Sequence, residues 1–302
     1  MKIVFLDQLT LGEDVDLTEL NKVGDFETFP YTRDDEVIKR CIDADIVITN
    51  KVYFTKEVID QLPKLKLISV TAVGLDNIDL NYAAENGITV HNTAAASSIA
   101  VTELAFTLMI TLPNHVIKAD STMHAGQWAK KELKRTELYN KILGIIGLGM
   151  IGSELAKRAT AFGMNVIAYD PFVESSEVAT MKPELKDVLN NSDYVSLHLP
   201  LNEETKGIIN AEMLNEFKDG AYLINTGRGK TIIEEDVVEA LKSGKLAGFG
   251  NDVWYSDPPE NTPLIDAPNM LMLPHLGAST KENLLRIGDI IESIIRDFVS
   301  TD

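Results

Sequence analysis

The sequence predicts an α/β protein that contains two doubly wound parallel-sheet domains. Short apolar runs alternate with amphipathic stretches, and this alternation is interrupted once by a long apolar helix before it resumes. One apolar run of the second half is followed directly by a glycine-rich turn. A chain of 302 residues is also too long for one compact core and suits two domains.

The first half of the chain has the βαβ alternation of a parallel sheet covered by helices on both faces. Four apolar runs are predicted as strands: Ile3–Leu6, Asp45–Thr49, Leu67–Thr71 and Ile88–Val90. The amphipathic segments between them are predicted as helices, among them Asp34–Ile42 and Lys56–Gln61. We expect this half to form a flavodoxin-like domain.

A long apolar helix separates the two halves. It is predicted over Ile99–Leu112 and ends before Pro113, which cannot continue it. The polar stretch that follows contains Trp128 and the charged run Lys130–Arg135, and we interpret it as a surface arm or loop. The helix and the arm are apolar enough to predict a homodimer interface, although a helix buried within one chain gives the same pattern.

The alternation resumes at residue 142. Six further strands are predicted, enough for a complete doubly wound sheet: Ile142–Ile146, Val166–Tyr169, Tyr194–Leu197, Ala221–Ile224, Gly248–Gly250 and Met270–Leu273. The last helix, Lys281–Val299, lies beyond that sheet, and we expect it to return to the first domain. The predicted first domain is therefore discontinuous, residues 1–96 and 279–302, and the second comprises residues 97–278.

A glycine motif predicts a dinucleotide site in the second domain. Gly147, Gly149 and Gly152 stand between an apolar strand and a helical stretch, and Asp170 ends the next strand. The first glycine allows the tight turn, the second lets a pyrophosphate approach the backbone, and the third lets the helix pack on the strand. A helix N-terminus favours phosphate, and the Asp170 carboxylate suits a ribose diol and repels a 2′-phosphate. The second domain is thus predicted to be a Rossmann domain for NAD rather than NADP, which leaves the first for the substrate.

Three side chains that follow predicted strands are candidates for the chemistry. Arg228 and His275 lie at the carboxyl ends of their strands, where ligands bind in this fold. Arg228 can hold a carboxylate with two hydrogen bonds, and His275 is a natural proton donor or acceptor for an alcohol–ketone interconversion. Asp257 is expected to orient His275, although an Asp before proline is also a common turn residue.

Composition disfavours several classes of partner and location. The net charge of −18 argues against a nucleic-acid partner, because phosphates would be repelled. The only cysteine, Cys41, excludes an internal disulfide and predicts a reducing, cytoplasmic location, and we interpret it as a core residue. We expect no membrane association, because no apolar run approaches the roughly 18 residues of a span and residues 1–7 resemble a strand rather than a signal peptide.

Besides the glycine motif with Asp170, the chain contains five further short motifs: Val73–Asp79, Val101–Leu104, His198–Leu201, Asn225–Gly229 and Pro274–Ala278. With these motifs in this order, the chain resembles the D-isomer-specific 2-hydroxyacid dehydrogenases over essentially its whole length. The opening stretch, residues 7–52, looks most like the branch that contains glycerate dehydrogenase and hydroxypyruvate reductase.

The resemblance implies roles for individual residues. Arg228 would bind the substrate carboxylate and polarise the keto oxygen, and His275 would be the general acid–base. The backbone N–H groups of Val73 and Gly74 would complete the carboxylate site. NAD contacts are expected at the glycine motif and at Met150, Ile151, Asp170, Leu199, Pro200, Thr205, Thr226, Gly227, Arg228, Asp252 and His275. No metal is expected.

Two positions depart from the family's pattern. The family usually has Glu where Asp257 stands, so the shorter side chain must lie closer to His275 or act through water. Gly227 replaces the usual Ala or Ser before Arg228, which gives the loop more backbone freedom. Neither departure removes the chemistry.

These observations predict an NAD-dependent reductase of small 2-keto acids, of the hydroxypyruvate, glyoxylate or pyruvate type. The nicotinamide is expected in the cleft between the domains, with protonated His275 as donor to the keto oxygen. The second hypothesis, an NADH-sensing corepressor or scaffold on the same fold, would need appended interaction tails, and none follows the last predicted helix. The third hypothesis is a formate- or phosphite-type dehydrogenase. The formate dehydrogenases are disfavoured, because that branch has an amide side chain at the position where this chain has the acidic Asp257.

Overall fold

The computed structural model describes residues 1–301 and divides into two compact units. Unit 1 comprises Met1–Ser97 and the chain from Ala278 onward, and unit 2 comprises Ser98–Gly277. Each division lies one residue away from the predicted boundary, which falls after residue 96 at the first crossing and before residue 279 at the second.

Every pair of neighbouring strands in the two sheets is parallel. Unit 1 contains β1 (Lys2–Phe5), β2 (Asp25–Thr28), β3 (Ile46–Thr49), β4 (Leu67–Val70) and β5 (Thr89–Asn92). Unit 2 contains β6 (Ile142–Ile146), β7 (Asn165–Tyr169), β8 (Thr180–Met181), β9 (Tyr194–Leu197), β10 (Ala221–Asn225), β11 (Leu246–Asn251) and β12 (Met270–Met272).

The α-helices lie between the strands and after the last of them. In chain order they are α1 (Val37–Cys41), α2 (Lys56–Ile59), α3 (Leu80–Glu85), α4 (Ala94–Thr111), α5 (Val116–His124), α6 (Met150–Ala161), α7 (Leu185–Asn191), α8 (Ala211–Glu216), α9 (Glu234–Ser243) and α10 (Lys281–Thr301).

The order of the strands confirms the predicted fold class. The sheet of unit 1 runs β2-β1-β3-β4-β5, which is the flavodoxin-like order. The sheet of unit 2 runs β12-β11-β10-β9-β6-β7-β8, which is the Rossmann order with one further strand, β12, at its edge. Both sheets are therefore doubly wound, and in each the order of the strands reverses at one point.

Apolar cores cover both faces of each sheet, which explains why the strands appear as continuous apolar runs. In β1, Ile3 and Phe5 pack into one core and Val4 into the other, and all three are fully buried. Cys41 belongs to the same core as Val4, as predicted, and burial raises the pKa of its thiol to about 12. The thiol is therefore a packing group.

Three elements escaped the sequence-based prediction. The strands β2 and β8 lie at sheet edges and are short, partly exposed and poor in apolar residues, so they carry no buried run. The helix α5 falls in the stretch interpreted as an arm or loop. Trp128, further along that stretch, is outside any helix or strand and exposed, as an arm requires.

The helix α4 corrects the expectation that no apolar run approaches the length of a membrane span. It begins at Ala94 rather than Ile99, and by length and composition alone it is long and apolar enough to cross a membrane. Half of it is buried inside the structure, and Ala105, Leu108 and Met109 pack into a core of unit 2. The core helix of a globular protein has the same composition, so α4 is weak evidence for a span.

Candidate active site

The glycine turn after β6 has the geometry that a dinucleotide needs. Gly147 has φ +92°, and a Cβ there would lie 2.7 Å from the carbonyl oxygen of His198. A Cβ on Gly152 would lie 2.3 Å from the oxygen of Gly147, so only glycine lets α6 pack this close to the turn. A Cβ on Gly149 would meet no atom within 4 Å. The second glycine therefore borders open space, and the turn fits a pyrophosphate.

This turn lies where the strand order of unit 2 reverses, between β6 and β9. Gly147 follows β6, His198 follows β9, and the His198 N–H donates to the Ile146 carbonyl at 2.8 Å. The helix α6 begins at Met150, so the N–H groups of Met150 and Ile151 belong to its first turn. Groups in that position have no partner within a helix and suit phosphate oxygens.

Asp170 is fixed beside the glycine turn. Its Oδ2 accepts the N–H of Leu148 at 2.8 Å, and its Oδ1 accepts the N–H of Phe172 at 2.9 Å. A pocket of about 530 Å³ adjoins it, lined by residues that follow β7 and β8, Lys182 among them. The carboxylate thus stands at the rim of a pocket at the carboxyl edge of the sheet, as the NAD prediction requires.

The loop that carries Arg228 is held by the buried side chain of Asn225, the last residue of β10. Asn225 Oδ1 accepts the N–H of Gly227 at 3.1 Å, and Asn225 Nδ2 donates to the carbonyl of Arg228 at 3.0 Å. The Thr231 hydroxyl donates to the same carbonyl at 2.7 Å. The sequence-based list of site residues missed Asn225, although a polar side chain that ends a buried strand directly before Arg228 is a usable signal.

Close approaches explain the small residues of this loop. A Cβ on Gly227 would lie 3.2 Å from the Leu199 carbonyl oxygen, so the loops after β9 and β10 touch there. A Cβ on Gly229 would lie 2.2 Å from the backbone of Trp254, which no side chain allows. The hydroxyl of Thr226 is buried and has no hydrogen-bond partner among residues 1–301. Such an orphaned group fits the predicted contact with a cofactor.

His275 and Asp257 form a direct pair. His275 Nδ1 lies 2.5 Å from Asp257 Oδ2, so the shorter acidic side chain reaches the ring without a bridging water. The backbone of His275 has φ +58°, a conformation that costs energy for a residue with a side chain and is often found at functional sites. The pair therefore has the geometry of an acid–base histidine with its orienting carboxylate.

Asp252 holds the chain immediately after the histidine. The residue is 1% exposed, its Oδ1 accepts the N–H of Leu276 at 2.7 Å, and its Oδ2 accepts the N–H of Gly277 at 2.8 Å. Burial raises the pKa of this carboxyl, and the two N–H groups act in the opposite direction. In the structure Asp252 is therefore an anchor for the His275 segment, and its contact with NAD stays a prediction.

The segment before Asp257 is also anchored. Trp254 Nε1 donates to the Leu273 carbonyl at 2.9 Å, and the Tyr255 hydroxyl donates to the Ile232 carbonyl at 2.7 Å. These bonds join the chain that follows β11 to the segments that follow β10 and β12.

Three neighbouring strands bring the candidate residues to one edge of the sheet. β10 leads to Arg228, β11 leads to Asp252 and Asp257, and β12 leads to His275. Adjacent strands lie about 4.8 Å apart, so the strand ends that carry Arg228 and His275 are about 10 Å apart, within the combined reach of the two side chains toward a small ligand.

A second histidine on this edge is His198, which is half-buried and whose charged form is disfavoured by desolvation. Desolvation lowers the pKa of His198 to about 4, and its Nε2 lies 2.9 Å from the Ser196 hydroxyl. Nearby, the Thr205 hydroxyl donates to the Pro200 carbonyl at 2.6 Å and accepts the N–H of Asn202 at 2.9 Å, which closes the loop after β9. The predicted NAD contacts of Leu199, Pro200 and Thr205 stay predictions.

Val73 and Gly74 lie in unit 1, in the loop that follows β4. Both are half-buried, and the Val73 carbonyl accepts Asn92 Nδ2 at 2.7 Å. The Ala72 carbonyl accepts the N–H of Thr93 at 3.1 Å. Within residues 1–301, no group of three or more His, Cys, Asp or Glu side chains is arranged to hold a metal ion.

Comparison with known proteins gives one family. Residues 106–277 match the D-isomer specific 2-hydroxyacid dehydrogenase, NAD binding domain. Hydroxypyruvate reductase of Thermotoga maritima is 40% identical over 275 residues, which cover 89% of this chain and 90% of that protein. D-3-phosphoglycerate dehydrogenase of Methanocaldococcus jannaschii is 39% identical over 301 residues and 98% of this chain, and the chain spans 57% of that relative's length.

A solved structure of an acyclic imino acid reductase (Bsp5), in complex with NADPH and D-Arg, has a TM-score of 0.93 and 28% identity, and the match covers 100% of this chain and 98% of that one. The chain belongs to the D-isomer-specific 2-hydroxyacid dehydrogenase family, as its motifs predicted. It is an oxidoreductase whose unit 2 contains the family's NAD-binding domain.

Proposed function

We propose that this protein uses NADH to reduce a small 2-keto acid, of the hydroxypyruvate, glyoxylate or pyruvate type, to the D-2-hydroxy acid. The observation that carries the proposal is the His275–Asp257 pair, on the same sheet edge as Arg228. The similarity to hydroxypyruvate reductase of Thermotoga maritima supports a substrate of the hydroxypyruvate type.

NAD binding uses the turn and the helix that follows it. The open side of Gly149 and the first turn of α6 receive the pyrophosphate, and Asp170 accepts hydrogen bonds from the adenosine ribose. Bound NADH supplies the hydride for the keto carbon.

Substrate binding and proton transfer use charged groups of unit 2. Arg228 holds the substrate carboxylate and stabilises the charge that develops on the keto oxygen. Asp257 occupies Nδ1 of His275, which leaves Nε2 to donate a proton to that oxygen. In the oxidation direction, neutral His275 takes the proton of the alcohol. The N–H groups of Val73 and Gly74 are the further donors that we assign to the carboxylate.

A steady-state panel with NADH tests the proposal. Hydroxypyruvate, glyoxylate and pyruvate serve as substrates for reduction, and formate and phosphite are tested with NAD in the oxidation direction. Turnover of a 2-keto acid that His275→Ala abolishes, with NADH affinity retained, is the expected result. His115→Ala changes a histidine that lies outside this sheet edge and should keep activity. Tight NADH binding without turnover would favour a corepressor or scaffold, and turnover of formate or phosphite alone would replace the substrate.

We also propose a homodimer that associates through the surface of unit 2 around α5. Ile117, Met123 and Trp128, all within one stretch of 12 residues, are 62%, 56% and 77% exposed, and exposed large apolar side chains of these types are enriched at interaction surfaces. Sedimentation velocity at micromolar concentration should show a dimer that Ile117→Glu weakens. Tyr31→Glu, at a 68% exposed position of unit 1, should not weaken it. A wild-type monomer across the concentration range would refute the proposal.

We propose that the protein is cytoplasmic and has no membrane or nucleic-acid partner. The buried thiol of Cys41 and the buried half of α4 support it, as does the net charge of −18. Cell fractionation should recover the enzyme in the high-speed supernatant, and its retention in a salt-washed membrane pellet would contradict this location.

A further inference from the structure

The carboxylate of Asp7 is buried at the carboxyl edge of the unit 1 sheet. Asp7 follows β1 and is 3% exposed. Its Oδ1 accepts the N–H of Asn50 at 2.9 Å, and its Oδ2 accepts the N–H of Lys51 at 2.7 Å. A buried carboxylate is costly without such donors. Asp7 therefore fixes the backbone directly after β3.

The peptide bond between Asn50 and Lys51 is held on both sides. Because a trans peptide is planar, its N–H and its C=O point in opposite directions. The Lys51 N–H donates to Asp7, while the Asn50 carbonyl accepts Asn77 Nδ2 at 3.3 Å. The same Asn77 nitrogen donates to the Val52 carbonyl at 2.8 Å. This one peptide thus connects Asp7 with Asn77.

Asn77 lies in the same loop as Val73 and Gly74. Its own carbonyl accepts the N–H of Phe54 at 2.8 Å, so its side chain and its backbone both tie this loop to the segment after β3. Asn92 holds the Val73 carbonyl at the other end of the loop. Since the Val73 carbonyl and the Gly74 N–H belong to one planar peptide, these anchors set the direction of that N–H.

We propose that Asp7 is a positioning residue for the substrate: through the Asn50–Lys51 peptide and Asn77, it sets where the N–H groups of Val73 and Gly74 stand. The inference rests on the proposed function, in which these groups bind the substrate carboxylate. Displacing a binding group by about 1 Å lowers the rate by up to about 100-fold, even when the substituted residue is remote from the chemistry.

Asp7→Asn tests this with little change of volume. The Asn50 N–H donates to both carboxylate oxygens, at 2.9 and 3.0 Å, and an amide puts an NH2 donor in place of one of them. Two donors then face each other, so the segment after β3 must shift. We expect KM for the keto acid to rise about tenfold or more, with KM for NADH unchanged within about twofold, because the glycine motif belongs to unit 2. Asn77→Ala should raise KM in the same way, and the double variant should be less than additive because both act on one peptide.

Asp45→Asn is the matched control. Asp45 Oδ2 accepts the N–H of Lys2 at 2.7 Å, so it also uses a carboxylate to hold backbone, but at the amino edge of the same sheet. A purely structural role for Asp7 would make the two variants alike, with lower melting temperatures and unchanged KM. The proposed role requires KM for the keto acid to change only in Asp7→Asn.

Hydrogen exchange supplies a readout that does not need turnover. In the NADH-bound protein, mass spectrometry should show faster amide exchange across residues 73–77 in Asp7→Asn and Asn77→Ala, and not in Asp45→Asn. Absence of keto-acid turnover by the wild-type enzyme would defeat the proposed function, and the exchange rates would still decide whether Asp7 positions the loop. Folded Asp7→Asn and Asn77→Ala proteins with wild-type exchange would overturn the inference.

Discussion

Asp170→Asn tests the choice of cofactor most directly. The carboxylate is fixed beside the glycine turn by the N–H groups of Leu148 and Phe172, at 2.8 and 2.9 Å. Two unit charges about 4 Å apart repel by about 4 kcal/mol at an effective dielectric constant of about 20. Salt and the half-exposed position reduce this to about 2 kcal/mol for a 2′-phosphate near Asp170, or about 30-fold in preference.

The assay is the ratio of kcat/KM with NADH to kcat/KM with NADPH at saturating keto acid. Asp170→Asn should lower this ratio by about 30-fold, while its remaining oxygen still accepts one N–H. Asp170→Ala should also reduce the preference for NADH over NADPH. It should in addition lower the melting temperature, because both hydrogen bonds of the side chain are lost. Glu174→Gln removes a like charge from the same pocket and should change the ratio by less than about threefold.

Two results would refute this reasoning. A wild-type enzyme that uses NADPH as efficiently as NADH would remove the discriminating role of Asp170. An unchanged ratio in a folded Asp170→Asn variant would assign the preference to another part of the pocket.

Four further variants test the rest of unit 2. Arg228→Lys keeps the charge but loses the planar guanidinium, so the activation free energy that corresponds to kcat/KM should rise by about 2–4 kcal/mol. A kcat/KM within a few-fold of the wild-type value would place the carboxylate site elsewhere. Asp257→Asn removes the carboxylate that fixes the tautomer and orientation of the His275 ring, so kcat/KM for the keto acid should fall by about tenfold or more with NADH affinity unchanged. An unchanged kcat/KM would make Asp257 a turn residue. Gly152→Ala brings a Cβ to 2.3 Å from a backbone oxygen and should lower the free energy of unfolding by about 1–3 kcal/mol. Gly149→Ala, where a Cβ meets no atom within 4 Å, should weaken NADH binding and leave stability unchanged. Equal melting temperatures of the two variants would contradict this difference.

The candidate site was predictable to the extent that its residues follow strands. Arg228 and His275 were found because buried parallel strands appear as apolar runs and their carboxyl ends share one edge of the sheet. The sequence left two interpretations of Asp257 open, a partner of His275 or an ordinary turn residue. The two residues are 18 positions apart, and no local pattern links them. The fold decides it, because β11 and β12 are neighbours and bring the two side chains together.

The sequence by itself determined the class of fold, the glycine turn and the family, because each depends on local periodicity or on residues close together in the chain. It did not determine the edge strands β2 and β8, whose pairing depends on a neighbour rather than on an apolar run of their own. Nor did it determine the partners of Asp7, which holds backbone 43 and 44 residues away. Those partners exist because β1 lies beside β3 in the sheet, and only the tertiary structure brings a buried carboxylate to N–H groups so distant along the chain.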